Sequence, residues 1–395
     1  MKRLAHRLAL CLAIGAQLFP VFSHAQDRTD VSGHLQTGAD VLMRQLSRAE
    51  SGISDLPLQA TSIQGLSSRI AVVANQTSQV GCTHLVDTLL SAGFNVVKIY
   101  CPEHGFRGTA AAGAPVGNSV DPHTGLPVVS LYGKNKKPTA GQMADVDCVI
   151  FDLQDVGCRF YTYLSTLHYI MEACVERDIP LLVLDRPNPN GHYIDGPVLD
   201  TARHRSFVGM HPVPIVYGMT IGEYACMVNG EHWLFNGNAD TALHNRECRL
   251  TVVAMQGYKR DSVGYLLPVP PSPNLRTAHA VALYPSLCLF EGTSVSVGRG
   301  TPWPFEVIGT APDTMDLRQV QVPARIDLTY LIAMYRRTPQ GKFFLPANNF
   351  FEKLAGTADL RRQLEQGMNE EDIRGSWQPG LAAFRQIRER YLLYP

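Results

Sequence analysis

The stretch DCVIFDLQDVGCRFYTYLSTLHYIMEACVERDIPLLVLD (147–185) decides the fold class of this chain. Its two ends, DCVIFDLQD (147–155) and IPLLVLD (179–185), are rich in Val, Ile and Leu and predict buried strands. The segment between them, YLSTLHYIMEACVERD (163–178), has the length and apolar spacing of a helix. Two strands joined through one helix predict parallel neighbours in a sheet, with a right-handed crossover.

The same alternation continues toward the N-terminus. Three more strands are predicted at RIAVVAN (69–75), FNVVKIY (94–100) and LPVVSLY (126–132). Helices are predicted between them at 82–93 and 139–145. Near-continuous apolar strands that alternate with helices predict an α/β fold with a Rossmann-like, doubly wound parallel sheet.

Composition divides the chain into four predicted parts. Residues 1–25 have a basic start, an apolar middle and small residues before a cleavage point after Ala25, which is the pattern of a secretory signal peptide. We therefore expect an exported protein that is periplasmic or secreted. The signal is followed by an N-terminal extension (26–65), a Rossmann-like catalytic domain (66–235) and a smaller C-terminal α/β domain (236–395).

The C-terminal part is less regular. Thr220 and a glutamate three residues later predict a capping box and a helix, and RLTVVAM (249–255) predicts a strand. The segment LYPSLCLFEGTSVSVGRGT (283–301) predicts another strand followed by a Gly-rich turn. The tail predicts two helices that are separated near Gly375.

Composition and missing motifs exclude several classes of function. Lys and Arg total 35, as do Asp and Glu, and no basic cluster with aromatic residues occurs, which argues against nucleic acid as a partner. After the signal, no apolar run approaches the roughly 20 residues that span a bilayer. The GxGxxG, Walker A, GxSxG and HExxH motifs are absent at the expected places, so neither a cofactor nor a metal is expected. The oligomeric state and any cysteine pairing stay open.

Polar and often ionisable side chains follow each of the five predicted strands. Because ligands bind outside the carboxyl ends of parallel strands, these side chains predict a site on one edge of the sheet. In strand order, they are Asn75, Glu103 with His104, Tyr132, Asp152 with Asp155 and Arg159, and Asn188.

Carboxylates at this edge suit the hydrolysis of a glycosidic bond. That reaction needs one acid that protonates the leaving oxygen and a second group that acts as base, nucleophile or stabiliser. Glu103 is the better acid candidate because an apolar wall at a strand end desolvates it, although a salt bridge with Arg107 or His104 is the alternative. Asp152 or Asp155 supplies the second carboxylate, and their spacing of three residues does not decide between them.

Several separate motifs, in the same order along the chain, carry a family resemblance. They are PEHGFRG (102–108), FDLQDVGCRFYTY (151–163), LDRPNPNG (184–191), EGTSVSVGRGT (291–301) with PFEVIG (304–309), and SWQPGLAAFRQIRERYLLYP (376–395). From Arg69 to Pro395, the chain resembles the exo-β-N-acetylmuramidase family, a glycoside hydrolase family that was long a domain of unknown function.

The resemblance implies an active site in the cleft between a Rossmann-like and a smaller α/β domain. It implies release of N-acetylmuramic acid from the non-reducing end of peptidoglycan fragments, and the lactyl carboxylate of that sugar gives arginines a role. Glu103 matches the catalytic glutamate, and Asp155 is the second catalytic candidate, either as a carboxylate or as the group that orients the substrate acetamide. The residues expected to bind substrate are Asn75, His104, Arg107, Asp152, Arg159, Tyr163, Asn188 and Arg299.

One departure and three rivals accompany this interpretation. After PFEVIGTAP (304–312) the family usually continues through a longer stretch, so a piece of the second domain is shortened here, and the lid over the sugar and the substrate length stay open. A β-N-acetylglucosaminidase is the rival within the same class, and it becomes the better interpretation if Arg159 and Arg299 point away from the cleft. A periplasmic amino-sugar- or muropeptide-binding protein and an inactive scaffold are the rivals from other classes.

Overall fold

A seven-stranded sheet forms the centre of the computed structural model. The structure describes residues 35–50, 68–107, 117–235, 243, 245–261, 265–310, 312–346 and 349–395. The predicted signal peptide lies outside these residues, as does much of the predicted extension. The strands of the sheet are β1 (Ile70–Ala74), β4 (Val96–Cys101), β5 (Ser119–Val120), β6 (Pro127–Ser130), β7 (Cys148–Asp152), β8 (Leu181–Leu184) and β9 (Leu250–Val253).

The strand order is β5-β6-β4-β1-β7-β8-β9, and every neighbouring pair is parallel except β5 with β6. The chain moves outward from β1 in one direction through β4 and β6, and then in the other direction through β7, β8 and β9. The order therefore reverses between β1 and β7, where doubly wound sheets bind their ligands. This confirms the predicted fold class.

Helices cover both faces of the sheet. The helices are α1 (Gly38–Glu50), α2 (Leu85–Ser91), α3 (Ala140–Met143), α4 (Tyr163–Arg177), α5 (Thr201–His204), α6 (Ile221–Gly230), α7 (Ala278–Leu287), α8 (Thr329–Arg337), α9 (Phe350–Ala355), α10 (Asp359–Glu365) and α11 (Glu370–Arg388). Short strands form two hairpins, β2 (Gln79–Val80) with β3 (Thr83–His84) and β10 (Val307–Ile308) with β11 (Met315–Asp316).

The central strand β1 shows why the sheet is buried on both sides. All five of its residues are fully buried, and successive side chains point to opposite faces. Ala71 and Val73 pack in the core that contains α4 and α6, whereas Ile70, Val72 and Ala74 pack in the core that contains α1 and α2. An unbroken apolar run, rather than an alternating one, is therefore what this strand requires.

Helix α1 begins with a close approach to the sheet. The amide of Gly38 donates to the carbonyl oxygen of Asp185 at 2.8 Å. A side chain at Gly38 would come within 2.4 Å of Asp185 N and 2.5 Å of Val253 O, so only glycine fits there. Helix α1 packs against the ends of β8 and β9.

Arg159 joins the loop after β7 to the C-terminal helices. Its guanidinium is buried and donates to the carbonyl oxygens of Pro197 at 2.9 Å, Val213 at 2.8 Å and Leu354 at 2.8 Å. Burial lowers the pKa of Arg159 to about 9. The side chain that was predicted to bind substrate therefore makes three internal contacts in this structure.

Three predictions for local structure were wrong. Residues 283–287 lie in helix α7, not in a strand, because Thr277 caps this helix and its apolar residues are buried on nearly all sides. Helix α11 continues through Gly375, and both Trp377 and Phe384 are buried along it. The helix predicted from 82 begins only at 85, after the β2–β3 hairpin.

The C-terminal part is mainly helical apart from the β10–β11 hairpin. The strand predicted at 249–255 is present as β9, and it belongs to the main sheet although it lies beyond residue 235. The domain boundary at 235–236 stays a prediction. Among the described residues, no helix has the length and hydropathy needed to cross a membrane.

Candidate active site

Asn75 follows β1, beside the point where the strand order reverses. Its side-chain oxygen accepts from Thr77 N at 2.9 Å and Thr77 Oγ1 at 2.6 Å, and its Nδ2 donates to the hydroxyl of Tyr163 at 2.7 Å. The backbone amide of Asn75 donates to Ser78 Oγ. Asn75 is fully buried. Its hydrogen bonds stabilise the turn after β1 and orient the hydroxyl of Tyr163.

Glu103 lies in a tight turn at the end of β4. Residues His104 and Gly105 both adopt left-handed backbone conformations, with φ of 73° and 77°, and Gly105 N donates to Pro102 O at 3.1 Å. A left-handed conformation is costly for a histidine, so the surrounding structure must enforce this turn. The turn leaves the Glu103 side chain half-buried, where Thr162 Oγ1 donates to its Oε2 at 3.0 Å.

The charge of Glu103 affects three tyrosines. Burial, together with the charge of Glu103 and a hydrogen bond to it, raises the pKa of Tyr132 to about 12. Burial also raises the pKa values of Tyr161 and Tyr163, and the negative charges of Glu103 and Asp155 add to both shifts. The charges of Glu103 and Asp155 therefore affect the same two tyrosine hydroxyls. This agrees with the prediction that the two carboxylates lie at one edge of the sheet.

A Pro-rich loop borders these tyrosines. The carbonyl oxygen of Pro271 accepts from Tyr161 OH at 2.8 Å, and Gln76 Nε2 donates to Pro270 O at 3.1 Å. Pro270 and Pro271 also line a cavity of about 380 Å³. Glu103 does not line this cavity, so the cavity and the acidic site are separate features.

Asp155 is buried and asymmetrically bonded. Its Oδ2 accepts from Gly157 N at 2.6 Å and from the hydroxyl of Tyr217, whereas its Oδ1 has no hydrogen-bond partner among the described residues. Burial raises the pKa of Asp155 to about 6, and the bonds from Tyr217 and Gly157 oppose this shift. Burial therefore favours the protonated form of this carboxyl group more than it would be favoured in an exposed aspartate.

Asp152 forms a buried ion pair with Arg186. Arg186 Nε lies 2.5 Å from Asp152 Oδ1, and Arg186 Nη2 lies 2.9 Å from Oδ2, a bidentate arrangement. Both side chains are almost completely buried. This geometry separates the two aspartates: Asp152 is neutralised by an arginine, and Asp155 is not.

Three further predicted site residues have internal partners. Asn188 Nδ2 donates to Met219 O at 2.7 Å, and its Oδ1 would lie 2.2 Å from a side chain at Gly157. Arg107 is bonded to both carboxylate oxygens of Asp121, at 3.1 and 2.9 Å, and about 40% of its side chain is exposed. His104 is buried within the turn that carries Glu103.

Arg299 faces the site from the C-terminal part and pairs with Glu291. Its Nε and Nη2 both contact Glu291 Oε1, and its guanidinium lies 5.3 Å from the centre of the Phe305 ring. Burial raises the pKa of Glu291, and the charge of Glu103 adds to this shift while Arg299 opposes it. Glu103 therefore lies within electrostatic range of Tyr132 and Glu291, and Arg299 lies within range of the same two groups.

Thr162, Tyr217 and Glu291 were not predicted as site residues from the sequence. Thr162 lies inside the quoted motif FDLQDVGCRFYTY, and Glu291 begins the motif EGTSVSVGRGT, so both had a signal. Tyr217 lies in VPIVYG (213–218), which contains no ionisable group apart from the phenol. Within the described ranges, no group of three or more His, Cys, Asp or Glu side chains could hold a metal ion.

Family models match nearly the whole described chain. The model of exo-β-N-acetylmuramidase NamZ, N-terminal, matches residues 70–279, and the model of its C-terminal part matches 282–323 and 313–394. The chain belongs to the NamZ family. Glu103, Asp155 and Tyr163 lie in the N-terminal match, whereas Glu291 and Arg299 lie in the C-terminal match, so both parts of the NamZ family chain contribute to the site.

Relatives of this NamZ family member cover nearly the whole chain. The peptidoglycan β-N-acetylmuramidase NamZ of Bacillus subtilis (strain 168) is 35% identical over 418 residues, covering 94% of each chain. Two crystal structures of DUF1343 family proteins from Bacteroides fragilis NCTC 9343 have TM-scores of 0.75 and 0.73, at 39% and 28% identity. Each alignment covers 91% of this chain and 99% of the other.

Proposed function

We propose that this chain is an exo-acting glycoside hydrolase that releases terminal β-N-acetylmuramic acid from the non-reducing end of peptidoglycan fragments. Membership of the NamZ family supports this proposal, as does the name of the Bacillus subtilis relative, a peptidoglycan β-N-acetylmuramidase. The observation that carries it is the half-buried Glu103 carboxyl group, held by Thr162 near three tyrosines at the carboxyl end of β4.

Glu103 is proposed as the general acid that protonates the leaving glycosidic oxygen. A group in this role must be able to reach the substrate, and Glu103 is half-buried whereas Asp152 and Asp155 are almost fully buried. Thr162 fixes the direction of the carboxyl group by donating to its Oε2.

Asp155 is proposed as the second acidic group, in preference to Asp152. Asp152 shares both carboxylate oxygens with Arg186, so its charge is already compensated. Asp155 has one oxygen without a described partner and a pKa of about 6, raised by burial. Of the two roles open to it, orientation of the substrate acetamide fits its burial better than attack on the sugar, and it would act together with Tyr163.

Export to the periplasm or the exterior belongs to the same proposal. Its support is the pattern of residues 1–25, together with a substrate that lies outside the cytoplasmic membrane. Expression of the full chain, followed by fractionation and mass determination of the mature N-terminus, tests this. Cleavage after Ala25 is expected.

The deciding experiment uses a disaccharide with N-acetylmuramic acid at its non-reducing end. Free N-acetylmuramic acid, detected by mass spectrometry, is the expected product with the wild-type protein. Glu103→Gln should reduce turnover at least about a hundred-fold, the scale of general acid catalysis. Binding of the disaccharide without release would instead support a sugar-binding protein, and near-normal turnover by Glu103→Gln would remove that residue from the acid role.

A further inference from the structure

Arg299 is presented to the site on a rigid turn. Gly298 and Gly300 have φ values of 74° and 82°, and Phe305 has a φ of 59°, so the loop between them is tightly constrained. A side chain at Gly298 would lie 2.6 Å from Val307 Cγ2 and 2.7 Å from Trp303 O. This loop carries Arg299, whose guanidinium lies 5.3 Å from the centre of the Phe305 ring.

Glu291 uses only one edge of the Arg299 guanidinium. The Nε and Nη2 atoms of Arg299 both contact Oε1 of Glu291, while Cys288 Sγ lies 3.7 Å from the other oxygen, Oε2. Glu291 is thus held between a cation and a thiol, with 18% of its side chain exposed against 39% for Arg299. The edge of the guanidinium formed by Nη1 and Nη2 remains for a second planar acceptor.

The other arginines predicted at the site are differently engaged. Arg159 is buried on backbone carbonyls. Arg107 is bonded to both oxygens of Asp121. Arg299, in contrast, lies within electrostatic range of Tyr132, whose hydroxyl is bonded to Glu103. The Phe305 ring beside Arg299 packs on Tyr284, whose ring centre lies 6.1 Å from that of Tyr161. A carboxylate held by Arg299 would therefore lie on the same side of the protein as the tyrosines near Glu103.

We propose that Glu291 is a positioning residue that orients Arg299 to bind the lactyl carboxylate of the terminal sugar. The inference rests on the proposed function, because it names how that site distinguishes a muramic acid from a glucosamine. The guanidinium of an arginine binds both oxygens of a carboxylate only when two of its N–H groups point at them. A side chain that is not held in that orientation binds the carboxylate more weakly. Glu291 supplies the direction, and the Phe305 ring supports the guanidinium from one face.

Binding measurements test this without relying on turnover. Calorimetric titration compares N-acetylmuramic acid with its lactyl methyl ester, which has the same shape around the sugar but no charge. The wild-type protein should bind the acid about ten-fold or more tightly than the ester, the range of a charge-assisted hydrogen bond. Glu291→Ala should abolish this preference, whereas Glu291→Gln should keep part of it, because the amide oxygen can still accept from Nε.

A matched control exists in the same C-terminal part of the chain. Asp316 pairs with Arg318 in an exposed ion pair, and Arg318 lies against Trp303. Asp316→Ala should leave the preference for the acid unchanged. If Glu291→Ala fails to fold, Glu291→Asp provides the test, since a carboxylate that is one methylene shorter should misdirect Arg299 and weaken the preference.

The outcomes separate this inference from the proposed function. If the wild-type protein releases N-acetylmuramic acid from the disaccharide but binds the acid and the ester equally, the role of Glu291 is refuted and the function stands. The role is equally refuted if Glu291→Ala keeps the full preference. If the protein neither releases nor binds the sugar, the function itself fails.

Discussion

Thr162 occupies the N-cap position of helix α4, yet its hydroxyl donates to Glu103 Oε2 at 3.0 Å and does not cap its own helix. A capping threonine typically contributes about 1 kcal/mol to stability. Thr162 does not make this capping contribution to helix α4. Its hydroxyl instead orients the carboxyl group of Glu103, the proposed acid. Positions that give up local stability in this way are characteristic of functional sites.

Thr162→Val should therefore lower activity more than stability. Loss of the hydrogen bond that orients Glu103 should reduce kcat roughly ten-fold or more, because a misplaced acid protonates the leaving oxygen less efficiently. The free energy of unfolding should change little, since no cap is lost. Turnover of the disaccharide and urea denaturation measure the two effects.

Thr139 is the matched control for Thr162. Its hydroxyl does cap a helix, accepting from Gln142 N in a capping box at the start of α3. Thr139→Val should lower stability by about 1 kcal/mol and leave kcat unchanged. The opposite pattern at the two threonines would contradict this account.

Tyr217→Phe should destabilise the protein in a pH-dependent manner. Burial raises the pKa of Asp155 to about 6, above its value of about 3.9 in an unfolded chain, so its contribution to stability is lost as pH rises through 6. Tyr217 limits this loss by donating to the charged carboxylate. In Tyr217→Phe, the free energy of unfolding measured in urea should be lower than in the wild type by about 1–3 kcal/mol at pH 7.5. The decrease should be smaller at pH 5. Equal losses at both pH values would show that Tyr217 acts only through packing.

The ion pair between Asp152 and Arg186 should be structural. Asp152→Leu leaves the buried guanidinium of Arg186 without its partner and should reduce the free energy of unfolding by about 3–5 kcal/mol. The double variant Asp152→Leu/Arg186→Met removes both charges and should recover much of that loss. A stable Asp152→Leu protein without activity would instead place Asp152 among the substrate-binding residues.

A buried histidine pair should make stability fall below neutral pH. His168 Nδ1 lies 2.9 Å from His211 Nε2, His168 also meets Glu172 and Arg205, and His211 Nδ1 lies 3.0 Å from Tyr224 OH. Burial lowers the pKa of both imidazoles, an effect that Glu172 and nearby Lys137 modify at His168. Since the unfolded chain takes up protons near pH 6.5, stability falls as pH decreases from there toward the folded-state pKa values.

His211→Gln should make that pH dependence shallower. One fewer proton taken up on unfolding reduces the slope by up to about 1.4 kcal/mol per pH unit, measured by urea denaturation between pH 5.5 and 7.5. His123→Gln is the control, because 72% of the His123 side chain is exposed. An unchanged slope for His211→Gln would show that the pair is protonated alike in both states.

The fold could be predicted because its strands are short, apolar and separated by helices of ordinary length. Strands β1 and β7 consist almost entirely of apolar residues, so their composition alone indicates that they are buried. The segment before Glu291 could not be assigned in that way, because an apolar run buried on all sides fits a strand and a helix equally well. Its cap, Thr277, lies outside the run.

The site was predictable in position but not in its partners. Strand ends placed Asn75, Glu103 and Asp155 on one edge, since topology alone determines which ends meet. The partners of these residues come from distant positions: Tyr217 is 62 residues from Asp155, and Thr162 is 59 residues from Glu103. No local pattern encodes such contacts, and the same limit explains why Arg159 and Arg299 could not be told apart.

The buried guanidinium of Arg159 has a mechanical consequence. One of its three acceptors, Leu354 O, is contributed by the C-terminal helices, while the arginine itself follows β7. Separating those segments would remove one of the three acceptors of a guanidinium that has little other contact with polar groups. We therefore expect the loop after β7 and the C-terminal helices to keep their relative positions when sugar binds. The small-angle scattering profiles with and without bound sugar should be superimposable.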